Sequence, residues 1–131
     1  MRTEEILYLI VNDNAARLVR AAGSLTEMRE VGHVDRKTFA DSHRHTGSSS
    51  SDHDERARHA FAKHVAAFAA AGWRAEGQPR VVMAAGAKVL GELRKALPKD
   101  LAAAVVNEQH KDLVGVPLHD LPSHFAHIGV M

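Results

Sequence analysis

The sequence of residues 80–106 is RVVMAAGAKVLGELRKALPKDLAAAVV, and its pattern predicts a strand, a helix and a second strand. Its first part, Arg80 to Ala85, is apolar and partly β-branched, which predicts a buried strand, and Gly86 predicts the turn that ends it. An apolar stripe at helical spacing follows and stops before Pro98, which is typical of a helix end. The residues of that stripe are Val89, Leu90, Leu93 and Leu97.

The residues after Pro98 predict a helical turn and a strand. Asp100 to Ala104 predicts a further helical turn, and Val105 to Leu113 predicts a second strand. The three alanines at 102–104 leave open the alternative that a helix extends further. A strand, a helix and a strand in succession predict two parallel strands joined by a right-handed crossover.

The N-terminal part of the chain predicts three more strands. Ile6 to Val11 is apolar on both faces, which is typical of a central strand. Asn12 to Asn14 predicts a turn, because Asn and Asp tolerate left-handed backbone angles, and Ala15 to Ala22 predicts the second strand. Leu25 to Val34 predicts a third strand, at a sheet edge. Three strands joined by tight turns predict an antiparallel meander.

Two further helices complete the predicted order. A helix pattern begins at Asp52, with Ser51 as the predicted N-cap and Gly72 as the predicted end. Its apolar stripe consists of Ala57, Phe61, Val65, Phe68 and Gly72. Pro117 opens the last helix, whose apolar residues are Leu118, Leu121, Phe125 and Ile128. The order β-β-β-α-β-α-β-α predicts the α/β class, a mixed sheet with helices on its faces.

Composition narrows the class of protein. The 131 residues predict a single domain over 1–131, and the absence of cysteine excludes disulfides and thiolate metal sites. The formal net charge is only +1 with ten histidines counted as neutral, so overall charge does not itself indicate nucleic-acid binding. No signal-peptide pattern and no apolar segment of membrane-spanning length is found. We therefore expect a cytoplasmic protein without a membrane partner.

The segment SHRHTGSSSSDHD, residues 42–54, has no hydrophobic period and predicts a mobile loop at about 40–52. On the helix that follows, basic residues three and four apart share one face, which could bind phosphates beside the loop. The candidate nucleic-acid-binding residues are His43, Arg44, His45, Gly47, Arg56, His59 and Lys63. The loop holds no stacking aromatic, so recognition of phosphates and shape is expected. An ordinary solvated helix face and a flexible connection are the alternative interpretation.

Metal chemistry is the other candidate for this segment. His43 and His45 are two residues apart and would share a face on an extended chain, and His53 is a third candidate ligand. We favour scattered surface histidines, because nothing in the sequence indicates what would orient these rings. Asp13 and Glu55 are too few carboxylates for two-metal nuclease chemistry. No cofactor and no catalytic residue is predicted.

Three strings carry a resemblance to a known family. They are VNDNAARLVR (11–20), DERARHAFAKHVAAF (54–68), and the stretch from residue 80 that continues into HKDLVGVPLHDLPSHF (110–125). Together they resemble the bacterial host attachment protein family, which is related to the central domain of archaeal and eukaryotic peptide-release factors. The resemblance implies a ribonuclease H-like arrangement of strands and covers the whole chain by element order.

The resemblance also implies a function. In release factors the loop before the first long helix carries Gly-Gly-Gln, which positions water against peptidyl-tRNA. The corresponding loop here has no glutamine, and the only two in the chain are Gln78 and Gln109. We therefore predict a non-catalytic, translation-linked module that binds ribosome or tRNA. A host-attachment or protein-interaction protein and a peptidyl-tRNA hydrolase are the alternatives, and the edge strand Leu25 to Val34 would allow a homodimer.

Overall fold

The computed structural model of the chain describes residues 5–22, 28–37 and 51–125. Its strands are β1 (Glu5–Val11), β2 (Ala15–Ala22), β3 (Met28–Asp35), β4 (Arg80–Ala85) and β5 (Val105–Gln109). Its helices are α1 (Ser51–Ala75), α2 (Ala87–Ala96), α3 (Lys99–Ala104) and α4 (Leu121–Phe125), the last preceded by a 3-10 turn over Leu118–Asp120. The predicted order of strands and helices is confirmed.

The five strands form one mixed sheet in the order β3-β2-β1-β4-β5. The meander pairs β1 with β2 and β2 with β3 in antiparallel fashion, whereas β4 runs parallel to both β1 and β5. The apolar residues of β1 are buried on both faces, as a central strand requires. Strands β1, β4 and β5 consequently end at the same edge of the sheet, the carboxyl edge.

Helices α1 and α2 cover one face of the sheet. Side chains alternate along a strand, so Leu7 and Leu9 of β1 and Met83 of β4 point to this face. They pack with the apolar stripes of the two helices, whose central members are Phe61, Val65, Leu90 and Leu93. We call α1 and α2 together the helix layer.

The chain after β5 covers the opposite face. Ile6, Tyr8 and Ile10 of β1 contact a second core there, to which Leu113, Leu121 and Phe125 contribute. The rings of Tyr8 and Phe125 have centroids 4.3 Å apart and are tilted by 43°. Residues 113–125, the C-terminal segment, therefore act as the second layer even though they contain only short helical pieces.

The end of α1 differs from its prediction. Gly72 does not stop the helix, which continues to Ala75. The chain leaves the helix at Gly77 (φ 91°) and Gln78 (φ 59°), both in the left-handed region, and the amide of Gln78 donates to the carbonyl of Trp73 at 2.8 Å. Glycine is needed at position 72 for another reason, since a Cβ there would lie 2.4 Å from Cδ1 of Leu18.

Other boundaries shift by a few residues. Strand β3 is described from Met28 to Asp35, and its predicted start at Leu25 lies outside the described residues. Strand β5 ends at Gln109 rather than Leu113, because the chain there turns away to cover the other face of the sheet. Ser51 and Asp52 belong to α1 rather than to the loop predicted over residues 40–52. Ile128, predicted in the last helix, lies outside the described residues.

Candidate nucleic-acid interface

Helix α1 presents a basic face to solvent. From Arg56 to Ala75 it contains four Lys or Arg residues and no Asp or Glu, because its acidic residues all lie in the first turn. Negative side chains are favoured there by the helix dipole. Phe61, Val65 and Ala69 bury the opposite side of the helix against the sheet. The amphipathic pattern that builds the core therefore also directs the basic residues outward.

The three predicted helix residues, Arg56, His59 and Lys63, are all exposed, and we call them the α1 basic face. Within the described part of the chain, no hydrogen bond or ion pair joins Arg56 or Lys63 to another residue. Their exposure lets both side chains reach an external anion.

His59 is partly engaged inside the protein. Its Nδ1 lies 2.8 Å from Oε1 of Glu92 on α2, with the His59 side chain 52% exposed. The hydrogen bond from His59 lowers the pKa of Glu92, and the positive charges of His59, Lys95 and Arg58 lower it further. Glu92 is consequently held as a carboxylate between the two helices, and only part of the His59 ring faces solvent.

Arg58 is a basic residue of α1 that is not among the candidate residues predicted from the sequence. Its Nε lies 3.8 Å from Oδ1 of Asp13, the residue that follows the end of β1 by two positions. That contact places the N-terminal half of α1 at the carboxyl edge. Helical spacing puts Arg58 on a different side of α1 from Arg56, so the sequence carried no signal for this contact.

The same edge is held by side chains of the predicted turn. Oδ1 of Asn12 accepts hydrogen bonds from the amides of Asn14 (2.7 Å) and Ala15 (2.8 Å). Its Nδ2 donates to both carboxylate oxygens of Asp112 at 3.2 Å, and Oδ1 of Asp112 accepts from the amide of Val114 at 3.2 Å. These bonds tie the first hairpin to the start of the C-terminal segment, so Asn12 and Asp112 are positioning residues.

The remaining predicted site residues are not placed. His43, Arg44, His45 and Gly47 lie outside the described residues, and of His53 only the helical backbone is described. In the ranges that are described, no three His, Asp or Glu side chains come together as a metal site would require. The same ranges contain no helix long and apolar enough to cross a membrane.

Comparison with known structures identifies the class of fold. A structure titled "Archaeal protein" superposes with a TM-score of 0.60 at 14% identity, covering 97% of this chain and 34% of that one. The crystal structure of the archaeal translation termination factor aRF1 superposes with a TM-score of 0.56 at 12% identity, covering 95% of this chain and 38% of that one. The five-stranded mixed sheet with its helices is thus similar to the fold of a release-factor domain. The chain spans little more than a third of either protein's length.

A family match is more specific. Residues 6–125 match the sequence pattern of bacterial archaeo-eukaryotic release factor family 12, so the chain belongs to that family. A search of curated protein sequences finds no match. The predicted relation to release factors is confirmed, whereas the host attachment name is not supported by these comparisons and stays a prediction.

Proposed function

We propose that this protein is a non-catalytic, translation-linked module that binds RNA phosphates, on the ribosome or on tRNA, through the α1 basic face. The observation that carries the proposal is the composition and exposure of this helix. Beyond its first turn α1 has only basic charges, and Arg56 and Lys63 point to solvent without a partner among the described residues. Exposed cations such as these are what a phosphate backbone would neutralise.

Family membership supports the link to translation. The chain belongs to a family named after release factors, and one structure of similar fold is a translation termination factor. In the chain, His43, Arg44, His45 and Gly47 directly precede α1, and we include them in the proposed surface on that ground. No glutamine occurs between residues 36 and 56, which favours binding over release-factor hydrolysis.

Recognition would rest on charge and shape. Phe61 and Trp73 of α1 are buried and Phe68 is half-buried, so no Phe or Trp of this helix is free to stack on a base. Single-stranded sequence readout depends on such stacking. Binding that is strongly salt-dependent and weakly sequence-dependent is therefore expected.

The test is binding to purified ribosomes and to tRNA across a salt series, for the intact chain and two double variants. Arg56→Ala with Lys63→Ala should weaken binding and lower the slope of log affinity against log salt by about 2, because each phosphate contact contributes about 1. Arg74→Ala with Lys99→Ala removes the same charge at the C-terminal end of α1 and the N-terminal end of α3, away from the α1 basic face, and should change neither quantity. Equal binding by all three proteins would contradict the proposal.

One observation favours a protein-interaction role as the second candidate. Val106, on edge strand β5, is 44% exposed and is the one exposed large hydrophobic side chain among the described residues. No RNA binding at low salt, together with capture of a protein partner that Val106→Thr abolishes, would support this role and the host-attachment interpretation. Release of peptide from peptidyl-tRNA by the purified chain would instead support the hydrolase alternative.

A further inference from the structure

We infer that the RNA surface continues onto α2, where Lys88 and Lys95 form a second row of cations beside the α1 basic face, and that the two rows bind the phosphates of an RNA duplex. This inference rests on the proposed function and specifies its partner. Neither lysine belongs to the surface indicated by the sequence, because α2 is separated from the loop by a helix and a strand. Only the packing of α2 against α1 places Lys88 and Lys95 beside the α1 basic face.

The register of the two helices follows from the topology and one contact. Helices α1 and α2 both lead from the carboxyl edge back to the start of a parallel strand, so they run parallel to each other. The bond between His59 and Glu92 sets which residues face each other. With a rise of 1.5 Å per residue, Lys88 lies within about 1.5 Å of the height of Arg56 along the helix axes.

The same arithmetic pairs Lys95 with Lys63 on the other side of that contact. The two cations of each pair lie on neighbouring helices, and the axes of packed helices are about 8–10 Å apart. The two pairs lie about 10 Å apart along the helices, seven residues at 1.5 Å each. Four cations thus surround the contact between His59 and Glu92, two on each helix.

Exposure and shape suit a close-approaching ligand. Lys88 and Lys95 are exposed, and neither forms a hydrogen bond or an ion pair within the described residues. Between the cations the helix surfaces carry small residues, namely Ala60 on α1 and Gly91 on α2. A Cβ placed at Gly91 would meet no atom within 4 Å, so the space above α2 is open.

The charge of the two sides of the sheet differs in sign. The helix layer contains seven Lys or Arg residues and four acidic residues, of which three lie at the start of α1 and the fourth is Glu92 on α2. Residues 112–125 on the other side contain two Asp residues and no Lys or Arg. A polyanion would therefore approach the helix layer, where the carboxylate of α2, Glu92, is paired with His59.

These features match a duplex better than a single strand. Proteins that bind single strands without sequence preference use exposed aromatic side chains as stacking platforms, and the described helix layer exposes no Phe, Tyr or Trp. Recognition of double-stranded RNA uses shape and phosphate contacts instead. Two cation rows on adjacent parallel helices can contact phosphates of both strands, whereas one strand needs a single row.

The test measures affinity of the full chain for an RNA hairpin duplex and for unstructured poly(U) with the same number of phosphates, each over a salt series. Lys88→Ala with Lys95→Ala should lower duplex affinity about tenfold or more at low salt and reduce the salt slope by about 2. Glu92→Gln should raise duplex affinity, because it removes the acidic charge that lies between the two rows of cations. Arg74→Ala with Lys99→Ala is the charge-matched control and should change neither the duplex affinity nor the salt slope.

The outcomes separate this inference from the proposed function. If Arg56→Ala with Lys63→Ala weakens binding but Lys88→Ala with Lys95→Ala does not, the second row is wrong and the proposed function stands. Equal effects of the α2 variant and the control would show that RNA is attracted by positive charge anywhere on the protein, and would overturn the inference. Binding of poly(U) as tightly as the duplex would also overturn it. If no variant changes binding, both proposals fail. Thermal unfolding of each variant shows that a loss of binding is not a loss of folding.

Discussion

Tyr8 is the residue whose ionisation reports most directly on the core. It is the only tyrosine in the chain, it is 3% exposed, and its ring packs against Phe125. Burial raises the pKa of Tyr8 from 10.0 to about 12, because the low-polarity surroundings disfavour the phenolate. A spectroscopic titration of tyrosinate therefore follows one buried site.

We expect the near-ultraviolet absorbance of tyrosinate to appear near pH 12 in the folded protein and near pH 10 once the chain is unfolded. Because the folded pKa is the higher one, the stability linked to Tyr8 is complete below pH 10 and is lost as the pH rises from 10 to 12. Tyr8→Phe removes this loss, so the decline in its free energy of unfolding over that range should be about 2 kcal/mol smaller. A folded-state midpoint near 10 would show that Tyr8 is solvated.

The packing of α1 on β2 depends on a glycine whose role was misassigned from the sequence. At position 72 a Cβ would lie 2.4 Å from Cδ1 of Leu18, a side chain that is 1% exposed and has little room to move. Overpacking of this kind costs about 1–3 kcal/mol, while alanine regains about 1 kcal/mol of helix propensity. Gly72→Ala should lower the free energy of unfolding by about 1 kcal/mol.

Gly91, in the middle of α2, is the matched control for this substitution. Nothing lies within 4 Å of a Cβ placed there, so only the helix propensity changes. Gly91→Ala should raise the free energy of unfolding by about 0.5–1 kcal/mol. Chemical denaturation of the two variants and the parent measures both effects. Equal stabilisation by the two substitutions would show that α1 does not approach β2 closely at Gly72.

Among the helices and strands, apolar periodicity predicts those bounds that glycine or proline sets locally. Strand β4 and helix α2 were placed within a residue or two because their apolar patterns end at Gly86 and Pro98. The end of α1 is not predicted correctly, because both Gly72 and Gly77 could end a helix. Only the short distance to Leu18 shows that Gly72 is a site of close packing and that the turn lies at Gly77. The α1 basic face followed from helical spacing, whereas Lys88 and Lys95 required the tertiary register.

At the scale of the whole molecule, two arginines of β2 join the sheet to its two layers. Arg20 points toward the helix layer, where its Nη1 donates to the carbonyl oxygen (2.7 Å) and to Oε1 (2.8 Å) of Glu76, just after α1. Arg17 points to the opposite face, where Nη1 donates to the carbonyl oxygens of Val114 (3.0 Å) and Val116 (2.6 Å). Side chains an odd number of residues apart on a strand point to opposite faces, so one strand can hold both layers.

Arg17 should therefore control the C-terminal segment without affecting the helix layer. Its guanidinium also pairs with Glu30 on β3 at 2.9 Å, and its side chain is 13% exposed. Arg17→Met keeps an apolar stem but removes hydrogen bonds to two carbonyls and a carboxylate. Hydrogen bonds of charged groups contribute about 1.5–3 kcal/mol, so we expect a loss of about 2–3 kcal/mol in the free energy of unfolding.

Amide hydrogen exchange locates that loss. Protection should fall most in residues 113–125, because the substitution frees this segment first, while α1 and α2 keep protection relative to global unfolding. Arg29→Met is the control, since Arg29 is 63% exposed and its ion pair with Glu76 is of the kind that contributes at most about 1 kcal/mol. RNA binding by Arg17→Met at a temperature where it is folded should equal that of the parent, because the proposed surface lies across the sheet. Uniform loss of protection, or loss of RNA binding by the folded variant, would show that the two layers do not separate in this way.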